Sequence, residues 1–263
     1  MTANNNYLNK LNEEKRKAIE TDGSVLITAN PGTGKTLLLA YKYLYLIKKG
    51  IKPEDILCLT FTEKAKRELE ERIIKLLAEH EKGFDLTKIN VYTFHAYAKD
   101  HLEDVEIVSS NLLRYSIYKF LKDKEVLTYG DKYLIETIVP KMESLIRYLK
   151  SFGILYNNID LKKVKSLLNE EGNLTKEEID KFADDFVQIY EYYEKIKDEN
   201  GIDYNDMLND FLKLKNIKKF KYVMIDELQD VNKIEAEIAL KVAENFIAVG
   251  DKKQAIFGFQ GGS

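Results

Sequence analysis

Residues Ala29 to Thr36 read Ala-Asn-Pro-Gly-Thr-Gly-Lys-Thr, directly after the short apolar run Ser24-Val-Leu-Ile-Thr28. Glycines in such a loop let backbone N–H groups wrap an oxyanion closely, and the following helix adds the partial positive charge of its N-terminus. A lysine closing the loop reaches the outer phosphates of a nucleoside triphosphate, and the next hydroxyl suits Mg²⁺. Ala29, Asn30, Pro31, Gly32, Thr33, Gly34, Lys35 and Thr36 are therefore the expected nucleotide-binding set. Alanine stands where the common pattern has its first glycine, so the match is to A-x-x-G-x-G-K-T.

A second group of reactive side chains follows the apolar run Tyr222-Val-Met-Ile225, which reads as a buried strand and ends in Asp226-Glu227. In an open α/β sheet, ligands bind at the carboxyl ends of strands. Beside a phosphate loop, Asp226 is expected to hold Mg²⁺ together with Thr36. Glu227 is expected to accept a proton from water attacking the γ-phosphate.

The elements that must carry these groups can be read from periodicity. Helix is predicted over Leu11 to Glu20, Thr36 to Lys49 and Thr62 to Glu79, with strands at Val25 to Thr28, Asp55 to Thr60 and Ile89 to Tyr92. Such alternation predicts a parallel sheet with helices on both faces. Between residues 101 and 200 the pattern turns helical, at Leu112 to Leu121, Lys132 to Lys150, Leu161 to Leu168 and Lys176 to Asp198, with a weak strand signal at Val105 to Val108. Helix Tyr204 to Leu214, strand Tyr222 to Ile225, helix Lys233 to Val242 and strand Asn245 to Val249 then restore the α/β pattern. The expected fold is thus an α/β sheet domain, 1–100 with 201–263, interrupted by an all-helical insertion at 101–200.

Composition narrows the class further. Hydrophobic residues at 44% and charged residues at 32% describe a soluble globular protein, and no run approaches the roughly 20 apolar residues of a membrane span. The N-terminus lacks the apolar region of a signal peptide, so a cytoplasmic protein is expected. One cysteine and three histidines argue against a disulfide framework or a structural zinc site. A net charge of -3 gives no sign of a strongly basic nucleic-acid binder, and the run Lys213, Lys215, Lys218, Lys219, Lys221 reads as a solvated helix end. The many tyrosines of 101–200 read as core and groove-wall residues.

Asp226-Glu-Leu-Gln-Asp230 resembles the D-E-x-Q-D box of superfamily 1 DNA helicases of the UvrD, PcrA and Rep type. Further segments resemble that family in its order: Thr60-Phe-Thr-Glu-Lys-Ala-Lys-Arg-Glu-Leu69, Thr93-Phe-His-Ala96, Gly201-Ile-Asp-Tyr-Asn-Asp-Met-Leu208 and Val249-Gly-Asp-Lys-Lys-Gln-Ala-Ile-Phe-Gly-Phe-Gln-Gly261. The resemblance implies a RecA-like P-loop domain that uses ATP with Mg²⁺, the motor of a 3'-5' helicase or translocase on single-stranded DNA. It implies that Gln254 senses the γ-phosphate beside Lys35, Asp226 and Glu227. It also implies that Phe61, Phe94, Phe257 and Phe259 face bases, with Thr60, Thr62, Thr93 and His95 on the DNA backbone. A second RecA-like domain, outside these 263 residues, is implied as the partner that completes the ATP site and the motor.

Some positions depart from the family pattern. Lys15 stands where the family has an adenine-reading glutamine, Leu37 replaces an arginine, and Gln260 replaces the arginine of F-R-G. Lysine has no acceptor, so it cannot make a paired amide contact with an adenine edge. Two alternatives stay open on the residues alone: the motor part of a helicase–nuclease, and a nucleotide-gated DNA- or partner-binding module without catalysis. Intact Lys35, Asp226, Glu227 and Gln254 weigh against the second, because a site without chemistry needs neither metal ligand nor base.

Overall fold

The structure, a computed structural model, describes residues 5–30, 34–81, 85–103, 105–124, 131–170 and 176–251. The first part of the chain runs α1 (Glu13–Glu20), β1 (Val25–Ala29), α2 (Lys35–Lys48), β2 (Ile56–Thr60), α3 (Glu63–His80), β3 (Asn90–Thr93) and α4 (Phe94–Lys99). Helices α5 (Asn111–Asp123), α6 (Asp131–Tyr133), α7 (Val139–Ser151), α8 (Leu161–Glu170), α9 (Lys176–Asn200) and α10 (Tyr204–Lys213) follow. Strand β4 (Phe220–Ile225), helix α11 (Lys233–Val242) and strand β5 (Ala243–Asp251) close the described chain. Two compact units result, Met1–His101 with Phe211–Ser263, and Leu102–Asp210. No described helix is long and apolar enough to cross a membrane.

In the first unit the strands form one sheet in the order β1-β5-β4-β2-β3, with every pairing parallel. From β1 the chain advances in one direction to β2 and β3, and from β4 it steps back to β5. Right-handed crossovers in opposite directions put their helices on opposite faces, which is why α2 and α3 lie opposite α11. Strand β2 is buried along its whole length, as a strand covered on both faces must be. Ile56 and Cys58 join Met224, Ile247 and Val249 in the core beneath α1, α2 and α3, while the alternate residues Leu57 and Leu59 are buried on the other face.

Helix α2 holds a lysine that the sequence reading did not single out. Lys42 is fully buried, and its Nζ donates to the carbonyl oxygens of Ile19 (2.7 Å) and Thr21 at the end of α1. Burial holds its pKa down, at about 8. The bonds satisfy carbonyls that a helix C-terminus leaves unpaired, and they fasten α1 to α2.

The second unit is helical, with a core that includes Leu113, Ile117, Met142, Ile146, Phe186 and Tyr190. The single helix predicted over Lys132 to Lys150 is instead interrupted by a π turn at Leu134–Ile138. Pro140 follows at the start of α7; it has no N–H to donate and its ring crowds the preceding turn, so the ladder widens there. The strand signal at Val105 to Val108 amounts to one isolated parallel bridge, Ile107 to Ile202. Tyrosines divide between core (Tyr190, Tyr193) and surface (Tyr115, Tyr133, Tyr148).

This unit also buries a charge network. Lys150 Nζ lies 2.7 Å from Glu194, 2.7 Å from Asp203 and 2.8 Å from Asp206, and Lys197 pairs with Glu194 and Asp206. Tyr193 donates to Asp203 at 2.8 Å. Removing one partner of a buried ion set leaves the others uncompensated, at a cost of about 3–5 kcal/mol. The network holds residues 203–206 to α7 and α9.

Candidate nucleotide site

Gly34 precedes α2 with φ 80°, a left-handed conformation that glycine adopts without a Cβ penalty. The turn it makes starts the helix at Lys35. Across the sheet, β4 ends at Ile225, Asp226 follows directly, and the chain turns away through Glu227 at φ 52° and ψ 53°. A left-handed residue other than glycine costs on the order of 1 kcal/mol or more, and such strain concentrates at functional sites.

These two turns bring the predicted groups together. Lys35 Nζ forms an ion pair with Glu227 Oε2, and Thr36 Oγ1 donates to Asp226 Oδ2 at 2.8 Å. Asp226 is 2% exposed. Burial pushes its carboxyl above the usual range, against the opposing effects of the Thr36 hydroxyl bond and Lys35. A cation at this point would relieve the cost of charging the buried group.

Gln229, inside the acidic Asp226–Asp230 segment, completes the cluster. Its Nε2 donates to Glu227 Oε2 at 2.6 Å, and its Oε1 accepts from the backbone N–H of Asp251 at 2.9 Å. Asp251 ends β5 opposite Ala29, where β1 delivers the chain to the phosphate loop. Glu227 lies two residues before Gln229, but Asp251 ends a strand 22 residues further on, so only the folded sheet reveals that second connection.

A cavity of about 920 Å³ adjoins the lysine, lined by Asn12, Lys15, Thr21, Thr28, Asn30 and Lys35 among others. Its size suits a nucleoside-sized ligand. Lys15, the departure noted in the sequence, therefore lies on the wall of the space that begins at Lys35.

The residues expected to meet nucleic acid gather at the carboxyl ends of the adjacent strands β2 and β3. Phe61 and Phe94 pack with ring centroids 5.5 Å apart. Thr62 and Thr93 cap α3 and α4, accepting from Ala65 N and Ala96 N, each at 3.1 Å. Thr60 and Phe94 are both 1% exposed, which leaves Phe61, Thr62 and His95 as the accessible part of this rim. Partial burial lowers the His95 pKa and favours its neutral imidazole. Pro31, Gly32, Thr33, Gln254, Phe257 and Phe259 lie outside the described residues.

Comparison with known proteins agrees with this geometry. Residues 11–263 match the family described as UvrD/REP helicase N-terminal domain. A protein of Mycoplasma pneumoniae named "Probable DNA helicase" is 28% identical over 95% of this chain and 48% of its own length. A "Probable DNA helicase II homolog" of the same organism is 31% identical over 97% of this chain and 37% of its own length. "DNA helicase II" of Rickettsia typhi is 29% identical, over 98% and 39%. The chain thus spans less than half the length of these curated relatives. With a family match from residue 11 to residue 263, on a parallel α/β sheet that joins a phosphate loop to an Asp-Glu strand end, the chain belongs to the UvrD/REP helicase N-terminal domain family.

Proposed function

We propose that this chain is the ATP-binding motor region of a DNA helicase or translocase that moves 3'-5' along single-stranded DNA. The observation that carries the proposal is the meeting of Lys35 with Glu227 and of Thr36 with Asp226, two contacts joining segments 190 or more residues apart. The unit with the sheet is the motor, and the helical unit is an insertion within it. Family membership and the names of the relatives support DNA as the substrate.

The residues fit Mg²⁺ and ATP. Thr36 and Asp226 offer a hydroxyl and a carboxylate, the hard oxygen donors that Mg²⁺ takes alongside waters and substrate phosphates. Held by these two residues, Mg²⁺ would supply the positive charge that offsets the charge of the phosphates. Lys35 turns from Glu227 to the phosphates, and the Glu227 carboxylate orients the attacking water and accepts its proton. Gln254 hydrogen-bonds the γ-phosphate. Phe61 and His95 meet single-stranded DNA at the rim, together with Phe257 and Phe259. A second RecA-like domain supplies the arginine that stabilises the transition state and the surface against which this one closes.

Calorimetric titration with ATP and Mg²⁺ tests the core of the proposal. Lys35→Ala removes the charge facing the phosphates, and affinity is expected to fall at least about tenfold, or about 1.4 kcal/mol. Equal affinity in variant and wild type would sink the assignment.

A further inference from the structure

We infer that Gln229 is a positioning residue: its amide holds the Glu227 carboxylate when Lys35 leaves it for a phosphate, and registers that carboxylate against the carboxyl end of β5. The inference rests on the proposed role of Glu227 and goes one step beyond it.

Glu227 has two side-chain partners on one oxygen, Lys35 and Gln229. A polyphosphate carries more charge than a carboxylate and draws the lysine away. Glu227 then keeps one side-chain donor, the Gln229 amide at 2.6 Å. The amide is itself fixed at its other end, where Oε1 accepts from Asp251 N at 2.9 Å. One end must donate to a carboxylate and the other must accept from an N–H, and a primary amide does both. Being neutral, it orients the carboxylate without pairing away its charge.

The neighbouring backbone leaves room for this bridge and little more. A Cβ on Gly250 would lie 3.1 Å from Leu228 Cβ and 3.3 Å from Gln229 Oε1. Gly250 and Asp251 are consecutive residues of β5, and Asp251 is 4% exposed, so water does not compete freely for its N–H. The bridge therefore ties the reactive carboxylate to the strand end from which the segment around Gln254 departs.

Two variants separate the halves of the bridge. Gln229→Ala removes both bonds. Gln229→Glu is nearly isosteric; it can still accept from Asp251 N but, ionised, cannot donate to Glu227. Amide hydrogen exchange on the full nucleotide-free chain reads the β5 end directly: Asp251 should exchange about tenfold faster in Gln229→Ala and near the wild-type rate in Gln229→Glu. ATP affinity, by calorimetry with Mg²⁺, should stay within about threefold of wild type in Gln229→Ala, which adds no charge beside Lys35. Single-turnover hydrolysis at saturating ATP, followed over hours, should fall at least about tenfold in both. Unchanged exchange in Gln229→Ala would refute the bridge. Unchanged hydrolysis, or affinity and hydrolysis falling together in Gln229→Ala, would refute the positioning role while leaving the nucleotide site intact. A wild-type chain that binds no ATP would instead overturn the proposed function, and this role with it.

Discussion

Replacing Glu227 with glutamine should tighten nucleotide binding, although it removes a group proposed to act in hydrolysis. In the structure Lys35 is engaged by Glu227, so an incoming phosphate must displace that carboxylate. Side-chain exposure is 9% for Lys35 and 36% for Glu227, an ion pair buried at one end and wet at the other. Fully exposed pairs are worth about 0–1 kcal/mol, and the buried lysine places this one near the top of that range, at about 1 kcal/mol. Glutamine is close in shape and its carbonyl still accepts from Gln229, so the local geometry survives while the competing charge disappears. About 1 kcal/mol corresponds to roughly fivefold in Kd, the gain expected for ATP or ADP with Mg²⁺. The gain should shrink as salt screens the pair in the wild type. Hydrolysis should fall by about 10²–10⁴, the usual contribution of a positioned base. Titration of both proteins at low and high salt measures the effect. Equal or weaker binding by Glu227→Gln would show that the carboxylate does not compete for Lys35.

Three further outcomes are expected. Glu235 caps α11 with Asn232, is 5% exposed, and has its pKa raised from 4.5 to about 7, chiefly by burial and then by the charge of Asp230. A raised carboxyl favours the neutral form in the folded state, so its contribution is full below pH 4.5 and is lost as pH rises to about 7. Glu235→Gln should therefore stabilise the protein by up to about 3 kcal/mol in urea unfolding at pH 8 and leave it unchanged at pH 4, and a gain equal at both pH values would refute the assignment. With Lys15 on the cavity wall, ATP and GTP should compete for the site within about tenfold of each other, whereas a strong adenine preference would require another reader of the base edge. Single-stranded DNA should bind with about micromolar or weaker affinity and lose it with salt, and Phe61→Ala should cost about 1–3 kcal/mol in fluorescence anisotropy; tight, salt-insensitive duplex binding would contradict the proposed rim.

Much of this protein was legible locally. The phosphate loop is a strand, a glycine turn and a helix in immediate succession, so Gly34, Lys35 and Thr36 declare themselves by neighbours in the chain. Periodicity placed α11 at Lys233–Val242 and the alternation of strands and helices that defines the α/β class, because burial repeats along an element. The acidic pair at the end of β4 was readable for the same reason. What the chain order did not contain was the pairing: β5, last among the described strands, inserts between β1 and β4 and carries Asp251 to the side of Ala29. Nothing near Gln229 announces that its amide would span Glu227 and that strand end. Nor does the apolar run around Lys42 reveal that a buried ammonium would fasten the end of α1. Lys150 likewise gave no sign of the three carboxylates that surround it. Local sequence sets propensity, periodicity and the chemistry each residue offers, whereas the hydrogen bonds and ion pairs that orient that chemistry join residues brought together only when the sheet and helices bury their apolar faces.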